Sequence, residues 1–141
     1  MTSPANRPDP VPTPALDDVA LAGLVDAFYA RVRADPELGA MFNGAISPED
    51  WPAHLGRMAQ FWSSVMLGSG AYHGNPVAAH MRHRAEMNPA MFARWLTLWE
   101  DTARQCLSPQ DALAIQTKAR RIAESLQLAL FFRLPRSQNA A

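Results

Sequence analysis

The chain has 141 residues, 48% of them hydrophobic and 18% charged, enough for one domain with a real core and with apolar surface left over to line a cavity. Thirteen basic residues balance thirteen acidic ones, so there is no electrostatic footprint for nucleic acid or an anionic membrane, and neither partner is expected. The lone Cys106 cannot close an internal disulfide. With no apolar run near the roughly 18 residues of a membrane span and no basic-then-apolar leader, a cytoplasmic location is the expectation.

In chain order, residues 1–15 are rich in proline and poor in groups able to bury themselves, which predicts a disordered tail. The domain is expected over 16–134, and Pro135 opens a frayed tail over 135–141. A first helix is predicted from about Asp17 to Ala34, with Leu21, Leu24, Val25, Phe28 and Val32 at helical spacing and Asp35-Pro36 as its stop. A short helical turn covers Glu37 to Phe42. Four further starts carry a capping side chain followed by proline: Ser47-Pro48, Asn75-Pro76, Asn88-Pro89 and Ser108-Pro109. Asp50 and Asp111, three residues after the two serines, make a variant of the capping box. These starts predict helices over Pro48 to Leu67, ended by Gly68 and Gly70, over Pro76 to Arg82, over Pro89 to Cys106 and over Pro109 to Arg133, with a polar loop after Arg82. No stretch alternates apolar and polar residues for long, so the domain is predicted to be all-α, with four long helices and two short ones packed as two antiparallel pairs.

The residues with most chemistry lie between Trp51 and His80: Trp51-x-x-His54, Phe61-Trp62, and Tyr72-x-Gly74-x-Pro76-x-x-x-His80. Two histidines around an aromatic helix read first as a haem pocket, because imidazole is the usual proximal partner of haem iron. Together with Phe28-Tyr29, Asp35-Pro36-x-Leu38-Gly39 and Trp95-Leu96, this order resembles the truncated haemoglobins of group III over nearly all of residues 20–132. The absence of a Gly-Gly pair agrees with that group. The resemblance implies a globin-like two-over-two helical sandwich holding one haem b. It implies His80 as the proximal iron ligand, Tyr29, His54 and Trp95 as the distal pocket, and Phe42 packing on the cofactor. It assigns nothing to His73, His83 or the proline-rich tail.

The residues bear on these roles independently. His80 follows a proline-initiated start by about one turn, beside Val77, Ala78 and Ala79, which are too small to shield its ring. A plain surface histidine is the competing reading. His54, Met58, Phe61 and Val65 fall on one stripe, which makes either a core face or a cavity wall with Met58 and Phe61 packing on the cofactor. Phe61 also reads as core, with Trp62 and Trp99. Tyr29 lies among Ala22, Val25 and Val32, and Trp95 among Met91 and Leu98, so each places a donor amid apolar neighbours. Those donors serve either a bound ligand or a backbone carbonyl. Tyr72, Arg82, His83 and Arg84 are near enough in sequence to His80 to be candidates for holding the propionates. His54 is also a candidate for ligating the iron directly when no other ligand is present.

Dioxygen polarised at such a site accepts hydrogen bonds worth roughly 1.5 to 3 kcal/mol each, slowing dissociation by about ten- to hundredfold per donor. Oxygen held that tightly suits redox chemistry on the bound ligand, nitric oxide dioxygenation or peroxidase-like turnover, more than delivery. The sequence has no Gly-rich dinucleotide fingerprint, so electrons are expected from a separate reductase. Alternatives are a simple oxygen carrier or store, a haem-based sensor module, and a zinc site on His80-x-x-His83 with His73, for which no convincing fourth ligand is apparent.

Overall fold

Side-chain caps set four of the six α-helix starts in the computed structural model, which describes residues 16–132. Among these the chain forms six α-helices and no strand, and the expected tails over 1–15 and 135–141 lie outside the described residues. Helix α1 spans Asp18–Ala34, and the carboxylate of Asp17 accepts from the Ala20 N–H at 2.8 Å. Helix α2 spans Leu38–Ala45, α3 Trp51–Leu67 and α4 Pro76–Met81, while α5 runs Pro89–Cys106 and α6 Pro109–Phe131. Asn75, Asn88 and Ser108 cap α4, α5 and α6 by accepting from the N–H three residues on, each with proline in the first turn.

Ser47 departs from the expected capping box. Its hydroxyl donates to the Asp50 carboxylate at 2.8 Å instead of accepting from the helix, and the first turn there is a 3-10 turn, Pro48–Asp50, that feeds α3. Gly68 ends α3 with φ 65°, a left-handed conformation open to glycine at no steric cost. The loop expected after Arg82 contains a second 3-10 turn, Arg84–Glu86.

The sequence marks Asp35 only as a stop, but in the fold it is a buried junction. One carboxylate oxygen accepts from the N–H groups of Glu37 and Leu38 at 3.1 and 3.0 Å, and the other takes both Nε and Nη2 of Arg94 on α5 at 3.0 and 2.7 Å. The Arg94 guanidinium and these backbone donors hold the carboxyl below its usual range. Gly39 completes the corner, since a Cβ there would lie 2.7 Å from the Arg33 carbonyl oxygen.

The α1 stripe is buried as its spacing predicts: Leu21, Leu24, Phe28 and Val32 are fully covered, each burial contributing roughly 1.5 to 3 kcal/mol. α1 packs on α3, α2 and α5, α5 packs on α6, and α4 rests on α6. Trp99 anchors the centre, with Trp62 stacked on it at 4.5 Å, Trp95 at 5.6 Å and Phe28 edge-on at 4.7 Å. No described helix is long and apolar enough to cross a membrane.

Candidate functional site

Inside the sandwich the helices enclose a cavity of about 440 Å³, within the range of cofactor sites and lined mainly by apolar side chains. Tyr29 of α1, Phe42 of α2, His54, Met58 and Phe61 of α3, His80 of α4 and Trp95 of α5 all reach it. α6 supplies Ile122, Ala123 and Leu126, a wall the sequence did not single out.

The α4 wall holds a single imidazole in one orientation. With Asn75 capping and Pro76 in the first turn, His80 sits one turn after Pro76, and its Nδ1 lies 2.6 Å from the Pro76 carbonyl oxygen. A carbonyl can only accept, so Nδ1 carries the hydrogen, and in the neutral ring the lone pair is on Nε2. The Phe92 ring lies 6.5 Å from this imidazole. The sequence left open which acceptor fixes the tautomer, because the bond depends on the realised turn of α4.

A different wall gathers the polar groups of α1 and α3. The His54 ring meets Tyr29 edge-on at 5.2 Å and Trp51 at 5.4 Å. Burial alone pushes the Tyr29 phenol well above its usual range, so the hydroxyl is a neutral donor. Burial first, and the charge of Arg57 after it, pushes His54 down to about 4, leaving a neutral ring whose Nε2 is buried with no hydrogen-bond partner among the described residues. An unpaired buried nitrogen costs about 1 to 3 kcal/mol unless a ligand or water meets it. Trp95 lines the same cavity, its face fixed by the parallel stack on Trp99.

Of the four propionate candidates, Tyr72, Arg82 and His83 line the cavity, whereas Arg84 opens the 3-10 turn toward α5 and does not. Arg57, which sequence reading passed over, is there instead. Its place one turn after His54 on α3 was the available signal. The Tyr72 N–H donates to the Ser64 hydroxyl at 2.9 Å and its ring meets Phe61 edge-on, while its hydroxyl folds against Gly74, where a Cβ would overlap it. His83 lies 3.6 Å from the Glu86 carboxylate, and His73 does not line the cavity. Among the described residues no three His, Cys, Asp or Glu side chains gather to hold a metal ion, so His80, His83 and His73 do not assemble a bare-ion site. One imidazole with a free Nε2 suits a metal that brings its other donors with it.

A family model described as bacterial-like globin matches residues 17–128. The group 3 truncated hemoglobin ctb of Campylobacter jejuni is 31% identical over 121 residues, covering 82% of this chain and 92% of that protein. The crystal structure of a group III truncated hemoglobin from the same organism matches with a TM-score of 0.75, at 31% identity over 84% of this chain and 94% of that one. The structure of Chlamydomonas reinhardtii THB1 matches with a TM-score of 0.60 over 87% of this chain and 99% of that one, at 24% identity, a likeness of fold alone.

Proposed function

Because the chain belongs to the bacterial-like globins, as a truncated haemoglobin of group III, we propose that it holds haem b on Nε2 of His80 and that Tyr29, His54 and Trp95 act on the diatomic ligand. A globin is a haem-binding protein for diatomic ligands, and this cavity fits the group on its own chemistry. Its walls are apolar, one imidazole presents a lone pair, and the buried His54 Nε2 awaits a partner. The 2.6 Å contact from His80 Nδ1 to the Pro76 carbonyl carries the assignment, because it orients the ring and raises the basicity of Nε2, as bonds to metal-ligating histidines commonly do.

When bound, haem b supplies the iron at which dioxygen, nitric oxide or peroxide reacts, with electrons from a separate reductase. The chain's residues set the terms of that chemistry. Tyr29 offers a donor that stays protonated, and His54 offers one donor and one acceptor because its ring is neutral. Trp95 adds an indole N–H. Phe42, Met58 and Phe61 exclude water, which strengthens each polar contact inside. Arg57, Arg82, His83 and Tyr72, all lining the cavity, are our assignment for the propionates. Three donors assigned to one small ligand favour retention and chemistry over release, so we read the protein as a catalyst of nitric oxide or peroxide turnover, and a carrier is the reading that weak donors would support.

The absorption spectrum of purified protein titrated with haem tests this. A Soret band with histidine-ligated features is expected in the wild type and in His83→Ala. Its loss is expected in His80→Ala, where apolar burial and the propionate contacts remain but the proximal iron bond does not. Full haem retention and an unchanged spectrum in His80→Ala would overturn the assignment.

A further inference from the structure

Four methionines from separate segments converge on the cavity: Met41 of α2, Met58 of α3, Met87 before α5 and Met91 of α5. Cavity walls can be built from leucine at no loss of burial, so a set of thioethers here introduces a chemistry that packing does not require. Their placement divides them. Met58 follows His54 by one turn, Met91 precedes Trp95 by one turn, and both pack on the core cluster that contains Tyr29. Met87 packs instead on the cluster of Phe92, the ring that neighbours His80. Met81 on α4 is 42% exposed and does not line the cavity.

We propose that Met58 and Met91 are oxygen-atom acceptors for peroxides that react inside this cavity, so that the protein modifies its own distal wall. The inference rests on the haem-binding reading above. In the balanced step a methionine thioether and one hydrogen peroxide give a sulfoxide and one water. The sulfur loses two electrons, the O–O bond breaks, one oxygen forms the new S–O bond, and the other leaves with both protons as water. A sulfoxide is polar and chiral, so each event turns an apolar patch of the wall into a hydrogen-bonding one beside Tyr29, His54 and Trp95.

Exposure and proximity to the cofactor order the methionines oppositely. If peroxide attacked from bulk water, exposed Met81 would react first and the half-buried Met58 and Met91 last, the more so once haem covers them. If the reaction occurs at the distal side of the bound cofactor, the order inverts. The experiment treats haem-loaded and haem-free protein with a few equivalents of hydrogen peroxide and follows the gain of one oxygen mass per methionine by peptide mapping. In loaded protein Met58 and Met91 are expected to react on the order of tenfold faster than Met81, with Met87 between. In haem-free protein Met81 is expected to lead. Loading is verified by the absorption spectrum. Failure to load haem overturns the underlying reading, while a loaded protein in which Met81 reacts first, or in which the order matches the haem-free one, overturns this inference alone. The paired substitution Met58→Leu with Met91→Leu preserves volume and is expected to take up two fewer oxygen atoms per chain. Should that variant fold poorly, the mapping of the unsubstituted protein decides by itself.

Discussion

Replacing Tyr29 with Phe separates a ligand-binding hydroxyl from a structural one, because the two roles predict effects of different size in different assays. The side chain is 5% exposed, burial holds it neutral, and among the described residues no hydrogen bond to its hydroxyl offsets that burial. Removing a hydroxyl without a protein partner removes a desolvation cost, so the haem-free fold is expected to stay within about 1 kcal/mol of the wild type or to gain slightly. In haem-loaded protein the same change removes a donor to a ligand with partial negative charge. That interaction is worth roughly 1.5 to 3 kcal/mol, which raises the oxygen dissociation rate by about ten- to hundredfold. Carbon monoxide, a poor acceptor, should respond far less. Stopped-flow ligand exchange measures both rates, and urea unfolding of haem-free protein measures the fold. Trp95→Phe is expected to act in the same direction, and because both donors meet one small ligand, the double-mutant cycle should show a coupling on the order of 1 kcal/mol. Equal acceleration for both gases would point to altered access, and no acceleration together with lost stability would return Tyr29 to core packing.

His54 gives a pH dependence in haem-free protein. Its folded pKa of about 4 lies below the ordinary histidine value of 6.5, so the unfolded chain binds the extra proton; stability is complete above about pH 6.5 and falls as the pH drops toward 4. The loss is expected to be about 1 to 2 kcal/mol after allowing for the partial solvent access of the ring. His54→Gln should remove it in urea unfolding at pH 7.5 and 5, and an unchanged dependence in that variant would locate the effect elsewhere. Asp35 has its carboxyl held low by Arg94, so its contribution is present above the ordinary carboxylate pKa and disappears as the pH falls through the lower folded value. Asp35→Asn should therefore be less stable at neutral pH and converge with the wild type in strong acid, and equal stability at pH 7 would count against the junction. Gly74→Ala is expected to displace the Tyr72 hydroxyl and lower haem retention, which a haem-transfer assay to a stronger acceptor would detect. Unchanged transfer kinetics would mean that Tyr72 does not hold the cofactor.

What the sequence determined is what short-range physics determines. Capping side chains followed by proline fix helix starts through bonds to the next turn, and three of the four such pairs behave that way, at Asn75, Asn88 and Ser108. The stripe of α1 fixes a buried face because side chains three and four apart share one side of a helix. The resemblance carried by the aromatic and histidine motifs implied one pocket for Tyr29, His54, His80 and Trp95, and all four line the cavity. Only the tertiary structure decided the rest, because it depends on groups far apart in the chain meeting at particular angles. Ser47 turned its hydroxyl to Asp50 rather than to the helix. Asp35 became a buried hub because α5 delivered Arg94 from 59 residues away. The edge of the cavity took Arg57 and left out Arg84, since nearness in sequence to His80 does not say which way a turn will face. The acceptor that sets the His80 tautomer and the meeting of four methionines around one cavity likewise follow from how the helices lie together, and no local pattern encodes them.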